Sequence, residues 1–135
     1  EDFVPVIVPM GLDEKGISYN INADTAAGAV ATSIKSRRLM LLTDIDGVID
    51  NNEKLISEIN TLEAKELIKN ETIHGGMIPK VKTCIDAINN GVRAVVILDG
   101  RKPHSILYEL FSDKGAGTLI RKWKTLNQLN IGYLI

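Results

Sequence analysis

Two short apolar runs, Leu39-Met40-Leu41-Leu42 and Val95-Val96-Ile97-Leu98, constrain the fold of this chain more than any other feature. A strand with one wet face alternates apolar and polar residues. A run without alternation is covered on both faces, as in a parallel sheet held between two layers of helix. Helical patterns are interleaved with these runs. Asp24 opens an Ala-rich helix over Thr25 to Ser36, with Gly28 inside it for close packing and Asn22 or Asp24 available as a cap. A second helix spans Leu62 to Lys69. A third covers Met77 to Asn89, with Ile78, Val81, Ile85 and Ile88 on one stripe and Gly91 as its stop. His104 to Phe111 forms a fourth. Phe3 to Val8 reads as a short strand ending at Pro9, Gly11 to Gly16 as a turn-rich link, and Ile17, Tyr19 and Ile21 as a second strand. Val92 to Leu98 is a buried strand, and Thr118 to Ile120 a last short one after the flexible Gly115 to Gly117 loop. The stretch after the acidic loop at Asp44 to Asp50 is polar as far as Leu62. Strands alternating with helices predict an α/β fold: a three-layer αβα sandwich with a mainly parallel sheet.

The 135 residues allow one domain with a proper core. Lys plus Arg number 16 against 17 Asp plus Glu, a net charge of -1, so no basic excess points to a nucleic-acid or membrane partner. The two Phe are far apart and supply no stacking platform for single strands. The apolar runs are far shorter than the roughly 20 residues that span a bilayer. Cys84 is the lone cysteine. It cannot form an internal disulfide and reads as a small buried hydrophobe in a reducing, cytoplasmic setting. The chain opens on Glu1 directly before a strand, which reads as a piece of something longer. There are no internal repeats and no low-complexity segment.

The loudest motif is Leu41-Leu42-Thr43-Asp44-Ile45-Asp46-Gly47-Val48. An apolar strand running into D-x-D-G-V suits a haloacid-dehalogenase-type phosphatase, with Asp44 as nucleophile and Asp46 as acid/base around magnesium. That chemistry also needs a downstream lysine and an acidic pair at the end of a later strand. The later strand ends instead in Leu98-Asp99-Gly100-Arg101. A calcium loop fits poorly, because Gly47 comes too early for an EF-hand. The plain alternative is a turn at the end of a strand.

Two further segments carry charge or polarity beyond what local structure requires. In an extended chain, Asn20, Asn22 and Asp24 alternate onto one face just before a helix N-terminus, where capping would need only one of them. In Gly75-Gly76-Met77-Ile78-Pro79-Lys80, the glycines permit close backbone approach and Lys80 falls in the first helical turn. A cation there opposes the helix dipole, so either an anion offsets it or the side chain is simply solvated.

Taken together, YNINADTAAGAVA, LMLLTDIDGVID, GGMIPKV and ILDGRKPHSILYELFSDKGAGTLI resemble the acetylglutamate kinases of the amino acid kinase family, in order and spacing, from Phe3 to about Arg121. The resemblance implies that residues 1–122 are the ATP-binding, C-terminal half of that kinase fold and that the acidic loop holds nucleotide without a phospho-aspartate. It implies that Asn20 contacts N-acetyl-L-glutamate, that Asp24 organises the catalytic lysines, and that Lys80 neutralises charge on the transferring phosphoryl group. Asp44, Ile45, Asp46, Gly47, Val48 and Ile49 would form the nucleotide loop, with Thr72, Ile73 and His74 as further nucleotide contacts. ATP would arrive with Mg2+ held by phosphates and water, so no protein metal ligand is expected. Phosphoryl transfer depends on positioning and charge stabilisation, to which a mobile lysine is suited.

The family's second phosphate-facing lysine, its glycine-rich loop and its substrate-binding arginine have no counterpart here. This chain alone is therefore expected to be nearly inactive, and the full-length protein to be a homo-oligomer. Phe111 to Thr118 resembles the loop of members that arginine inhibits. Residues 123–135 form an extension of unknown role, in which Trp123, Leu126 and Leu129 could make a helical stripe. The alternative from another class is a stand-alone nucleotide-binding module or inactive remnant, working with a separate N-terminal partner.

Overall fold

The computed structural model describes residues 3–123, so the stripe proposed beyond Trp123 lies outside the described residues. Its centre is β5 (Ala94–Asp99), in which Val95, Val96, Ile97 and Leu98 are all completely buried. Burial of each such side chain contributes about 1.5–3 kcal/mol. β5 pairs in parallel with β3 (Leu39–Thr43), Leu41 opposite Ile97 and Thr43 opposite Asp99. On its other side it pairs antiparallel with β6 (Gly117–Arg121), which in turn pairs parallel with β4 (Glu58–Asn60). The four-stranded order is β3-β5-β6-β4, with two of its three pairings parallel.

Because alternate side chains leave a strand on opposite faces, Leu41, Val95, Ile97, Ile120 and Ile59 share one face. They join one core with Val81, Cys84, Ile85 and Ile88 of α3 (Met77–Asn89), Ala31 of α1 (Ala23–Ser33) and Ala64 of α2 (Thr61–Lys69). The bounds of α3 are those expected from its apolar stripe. At Gly28 of α1 a Cβ would stand 3.0 Å from Thr83 of α3, so the small residue sits where the two helices touch. On the opposite face lie the buried Val96 and Leu98 and the short α4 (Ser105–Phe111). Glu109 of α4 is buried there, near Leu119 and Glu58, and faces Arg38 at 3.6 Å. Helices thus flank a mostly parallel sheet on both faces, with the thinner cover on the α4 side.

Three expectations change. Phe3 to Val8 forms no strand: Phe3, Val4, Val6, Ile7 and Val8 are largely exposed, because the stretch has no neighbouring strand to bond to. The first ladder instead pairs β1 (Met10–Leu12), which runs into the start of the Gly11 to Gly16 link, with β2 (Ser18–Asn20). The polar stretch before Leu62 contains β4, of which only Ile59 is buried. It leads directly into α2 through a capping box. Asn60 Oδ1 accepts from the Leu62 and Glu63 amides at 2.9 and 3.0 Å, and Glu63 accepts from the Asn60 amide at 2.8 Å.

Among the described residues no helix is long and apolar enough to cross a membrane.

Candidate functional site

β3 delivers the acidic loop to the end of the sheet, beside the end of β5. Asp99, which closes β5, is turned back on its own loop: its carboxylate accepts from the Arg101 amide, Nε and Nη2 at 2.9–3.0 Å. These bonds, the side-chain ones first, hold the Asp99 carboxyl down at about 2. An aspartate so engaged organises a turn and does not serve as the second acidic site of a phosphatase. Asp46 pairs with Lys102 of the same turn, Oδ1 to Nζ 2.7 Å, both side chains about half exposed. Further along, Val48 is buried and exchanges backbone contact with Ile56, whose amide donates to the Val48 carbonyl at 2.8 Å. Asp50 accepts from the Asn52 and Lys54 amides, a tight turn that also lowers its pKa. The loop is therefore a closed excursion, tied at Val48 to Ile56 and at Ile49 to Leu55.

Opposite the loop, Thr72, Ile73 and His74 link α2 to α3. Ile73 is buried, and its amide donates to the Leu67 carbonyl at 2.8 Å. The two segments enclose a hollow of about 160 Å³ lined by Ile45, Gly47, Val48, Ile49, Thr72, Ile73, His74 and Met77. Seven of the nine positions expected to meet nucleotide thus line one cavity, and Met77 joins them unforeseen. Asp44 and Asp46 stand outside its lining. The walls are mostly apolar with a threonine and a histidine at the rim, which suits a flat base better than a phosphate. At the entrance to α3, a Cβ added to Gly75 or Gly76 would meet nothing within 4 Å. Phosphates have room there, and the residues present fit a nucleotide.

Lys80 lies three residues beyond Met77, one helical turn away on the same side of α3. Its Nζ donates to Asp24 Oδ2 at 2.7 Å, with the two side chains 25% and 22% exposed. Asp24 stands in the first turn of α1, where the dipole favours an acid. The cation that the dipole of α3 disfavours is therefore offset by a carboxylate 56 residues away in sequence. Lys80 is not a freely solvated lysine.

The expected alternation of Asn20, Asn22 and Asp24 breaks at Asn22, which caps α1 by accepting from the Thr25 amide at 3.1 Å. Beyond that point the chain is helical, so Asp24 projects with the period of a helix. Asn20 ends β2, exposed and opposite Met10, and its side chain makes no hydrogen bond among the described residues. The structure unites Asp24 with Lys80 but leaves Asn20 apart from them. Sequence reasoning missed the Lys102 partner of Asp46. The charges of Asp99-Gly100-Arg101-Lys102 were visible, but which aspartate they meet was not.

A larger groove of about 510 Å³ runs between α1 and α3 past Thr25, Gly28, Thr32 and Asp86. Its lining contains none of the catalytic, substrate or nucleotide positions expected from the sequence. Cys84, on the inner face of α3, is completely buried. Burial first, and the Asp24 carboxylate second, push its thiol up to about 12. A disulfide thiol reagent at pH 8 is expected to leave the native chain unlabelled and to titrate one thiol after denaturation; rapid native labelling would contradict the packing of α3.

Residues 1–99 match the model of the amino acid kinase family. The acetylglutamate kinase of Pelagibacter ubique (strain HTCC1062) is 60% identical over 119 residues, covering 88% of this chain and 41% of the relative. That of Rhodospirillum rubrum is 56% identical over 120 residues, 89% of this chain and 39% of the relative. The chain thus spans less than half the length of these curated relatives. Among solved structures, N-acetylglutamate synthase from Neisseria gonorrhoeae, complexed with coenzyme A and L-arginine, superposes with a TM-score of 0.80 at 30% identity, over 85% of this chain and 27% of that one. Carbamate kinase from Giardia lamblia bound to AMP-PNP superposes with a TM-score of 0.65 at 25% identity, over 84% of this chain and 37% of that one.

Proposed function

Because this chain belongs to the amino acid kinase family, we propose that its residues 1–122 are the nucleotide-binding, C-terminal half of an enzyme phosphorylating the side-chain carboxylate of N-acetyl-L-glutamate. The setting is arginine biosynthesis in the cytoplasm, and the full-length enzyme is a homo-oligomer. The observation that carries the reading is the Lys80–Asp24 pair, held one helical turn from a hollow lined by Ile45, Gly47, Val48, Ile49 and Thr72 to His74. The names of the relatives at 54–60% identity supply the substrate.

ATP, accompanied by Mg2+, supplies the phosphoryl group. The hollow takes the base, the open backbone at Gly75 and Gly76 borders the phosphates, and Lys80 faces the charge that develops during transfer. Asp24 holds Lys80 in place and keeps its ammonium from wandering. Asn20, exposed at the end of β2, contacts acetylglutamate. A single ammonium stabilises only part of the charge of this transition state, which is why half the site supports little turnover.

The open edge of β3 and the exposed apolar side chains from Phe3 to Val8 support the view that a further portion of the kinase packs here. The chain is expected to bind MgADP weakly by calorimetry and to turn over acetylglutamate negligibly. Adding the separately produced remaining portion of an acetylglutamate kinase should raise the coupled-assay rate. No nucleotide binding at millimolar concentration would sink the nucleotide site. Binding without any gain on mixing would favour the second reading, a stand-alone nucleotide module or inactive remnant.

Arginine is proposed as a feedback ligand on the α4 side. A polar hollow of about 220 Å³ there is lined by Arg38, Glu58, Glu109 and the Ser112 to Gly115 loop. The buried Glu109 carboxylate faces the Arg38 guanidinium through Oε1 and accepts from the Ala116 amide through Oε2 at 2.8 Å, and Asp113 adds a further acidic side chain to the lining. The synthase complexed with L-arginine is a relative of similar fold.

A further inference from the structure

Thr118 is the second residue of β6 and is completely buried. Its side chain shares a sheet face with Ile97 and Ile120, an apolar surround in which a hydroxyl needs partners. It has two, both in the acidic loop region. Its Oγ1 accepts from the Val48 amide at 2.8 Å and donates to the Ile56 carbonyl at 2.7 Å. The contacts reach 70 and 62 residues along the chain. Val48 is itself 1% exposed, so its N–H has no water to replace the threonine.

The loop meets Thr118 as closely as a backbone can. Gly47 stands at φ +147, and a Cβ on it would lie 2.5 Å from Thr118 Oγ1, 2.9 Å from Leu55 Cδ1 and 3.0 Å from the Thr118 nitrogen. Glycine at 47 and a hydroxyl at 118 therefore form a matched pair. One removes the bulk that would hold the loop away, and the other supplies the bond that holds it down. Gly47, Val48 and Ile49 form one wall of the hollow that faces Thr72 to His74.

We propose that Thr118 is a positioning residue for the nucleotide: its hydroxyl clamps the Gly47–Val48 turn against β6 and so pre-forms one wall of the base site. The inference rests on reading that hollow as the nucleotide site. Without the clamp, the wall must be ordered at the expense of binding. Valine keeps nearly the shape of threonine but leaves a buried donor and a buried acceptor unpaired, whereas serine keeps the hydroxyl.

The test uses the full 135-residue chain, MgADP as probe, and two readouts: nucleotide affinity, and hydrogen exchange of individual amides. In Thr118→Val, MgADP binding should weaken about tenfold or more, and the Val48 amide should exchange roughly a hundredfold faster. The core amides of Val96 and Leu98 should hold their rates. Thr118→Ser should restore both readouts to within about threefold of the parent. Should Thr118→Val fail to fold, Gly47→Ala displaces the loop while leaving the hydroxyl in place, and the same pair of changes is expected. Folded Thr118→Val with an unchanged Val48 exchange rate overturns the clamp. Faster exchange with unaltered MgADP affinity makes Thr118 a structural residue only and overturns the proposal. A parent chain that binds no MgADP, with the Val48 amide still released by the substitution, overturns the nucleotide reading while leaving the loop anchor standing.

Discussion

In a full-length acetylglutamate kinase carrying this chain, Lys80→Ala is expected to lower kcat about 10²–10³-fold, the usual loss when one preorganised charge is removed from a transition state. The KM for acetylglutamate should move far less, because the proposed function puts Lys80 on the nucleotide side, whereas Asn20→Ala should act mainly on that KM. The contact with Asp24 at 2.7 Å introduces a rival explanation, that the lysine merely ties α3 to α1. Lys80→Arg separates the two. A guanidinium preserves the attraction to Asp24 and hence the tie, yet its planar fork replaces a compact charge that can follow a moving phosphate. Arginine should therefore recover stability without recovering kcat. Steady-state kinetics and melting curves on the three variants decide the matter. A normal kcat with a lowered melting temperature in Lys80→Ala would reduce the pair to a tie between helices.

Gly117→Ala should have the largest effect on stability. Gly117 opens β6 opposite Leu98, and a Cβ there would overlap the Ile97 carbonyl oxygen and stand 2.8 Å from Leu98 Cβ. The obstacle is backbone in the central strand, with no flexible side-chain end that could swing aside. Either β6 moves away from β5, losing ladder bonds, or β5 shifts within a close-packed core. We expect a loss of about 3 kcal/mol or more, at the high end for overpacking. For a domain of this size that lowers the melting temperature by roughly 10 °C. Gly76→Ala is the matching control. Its Cβ meets nothing within 4 Å, and a change within about 0.5 kcal/mol is expected. Equal melting temperatures for Gly117→Ala and the parent would mean that β6 does not approach β5 as described. Displacing β6 also withdraws Thr118 from the acidic loop, so weaker MgADP binding should accompany the loss of stability.

How far this architecture could be read in advance differs from element to element. The stripe of Val81, Ile85 and Ile88 predicted α3 with its ends, because a helix thirteen residues long repeats its apolar period several times. Val95 to Leu98 predicted a strand buried on both faces, and it is one. β4 leaves no periodic signal in the sequence, because its three residues hold a single buried side chain. The Asn60-Thr61-Leu62-Glu63 spacing that starts α2 carries the capping-box pattern in the sequence itself. Phe3 to Val8 looks like a strand in composition, but a strand exists only with a partner, and none of the described residues supplies one.

For the candidate site the division has a single physical cause. Residue type and near-neighbour spacing act over a few positions, and they determined the strand before Asp44, the glycines before α3 and the placement of Lys80 in a first turn. Proximity between such segments belongs to packing. Only the tertiary structure brought Asp24 within 2.7 Å of Lys80, closed Ile45 to Ile49 over Thr72 to His74, gave Asp46 its Lys102 and set the Thr118 hydroxyl under Val48. Each of these pairs spans a sequence separation at which local preference carries no information. The sheet register and the crossing of α1 over α3 decide them instead.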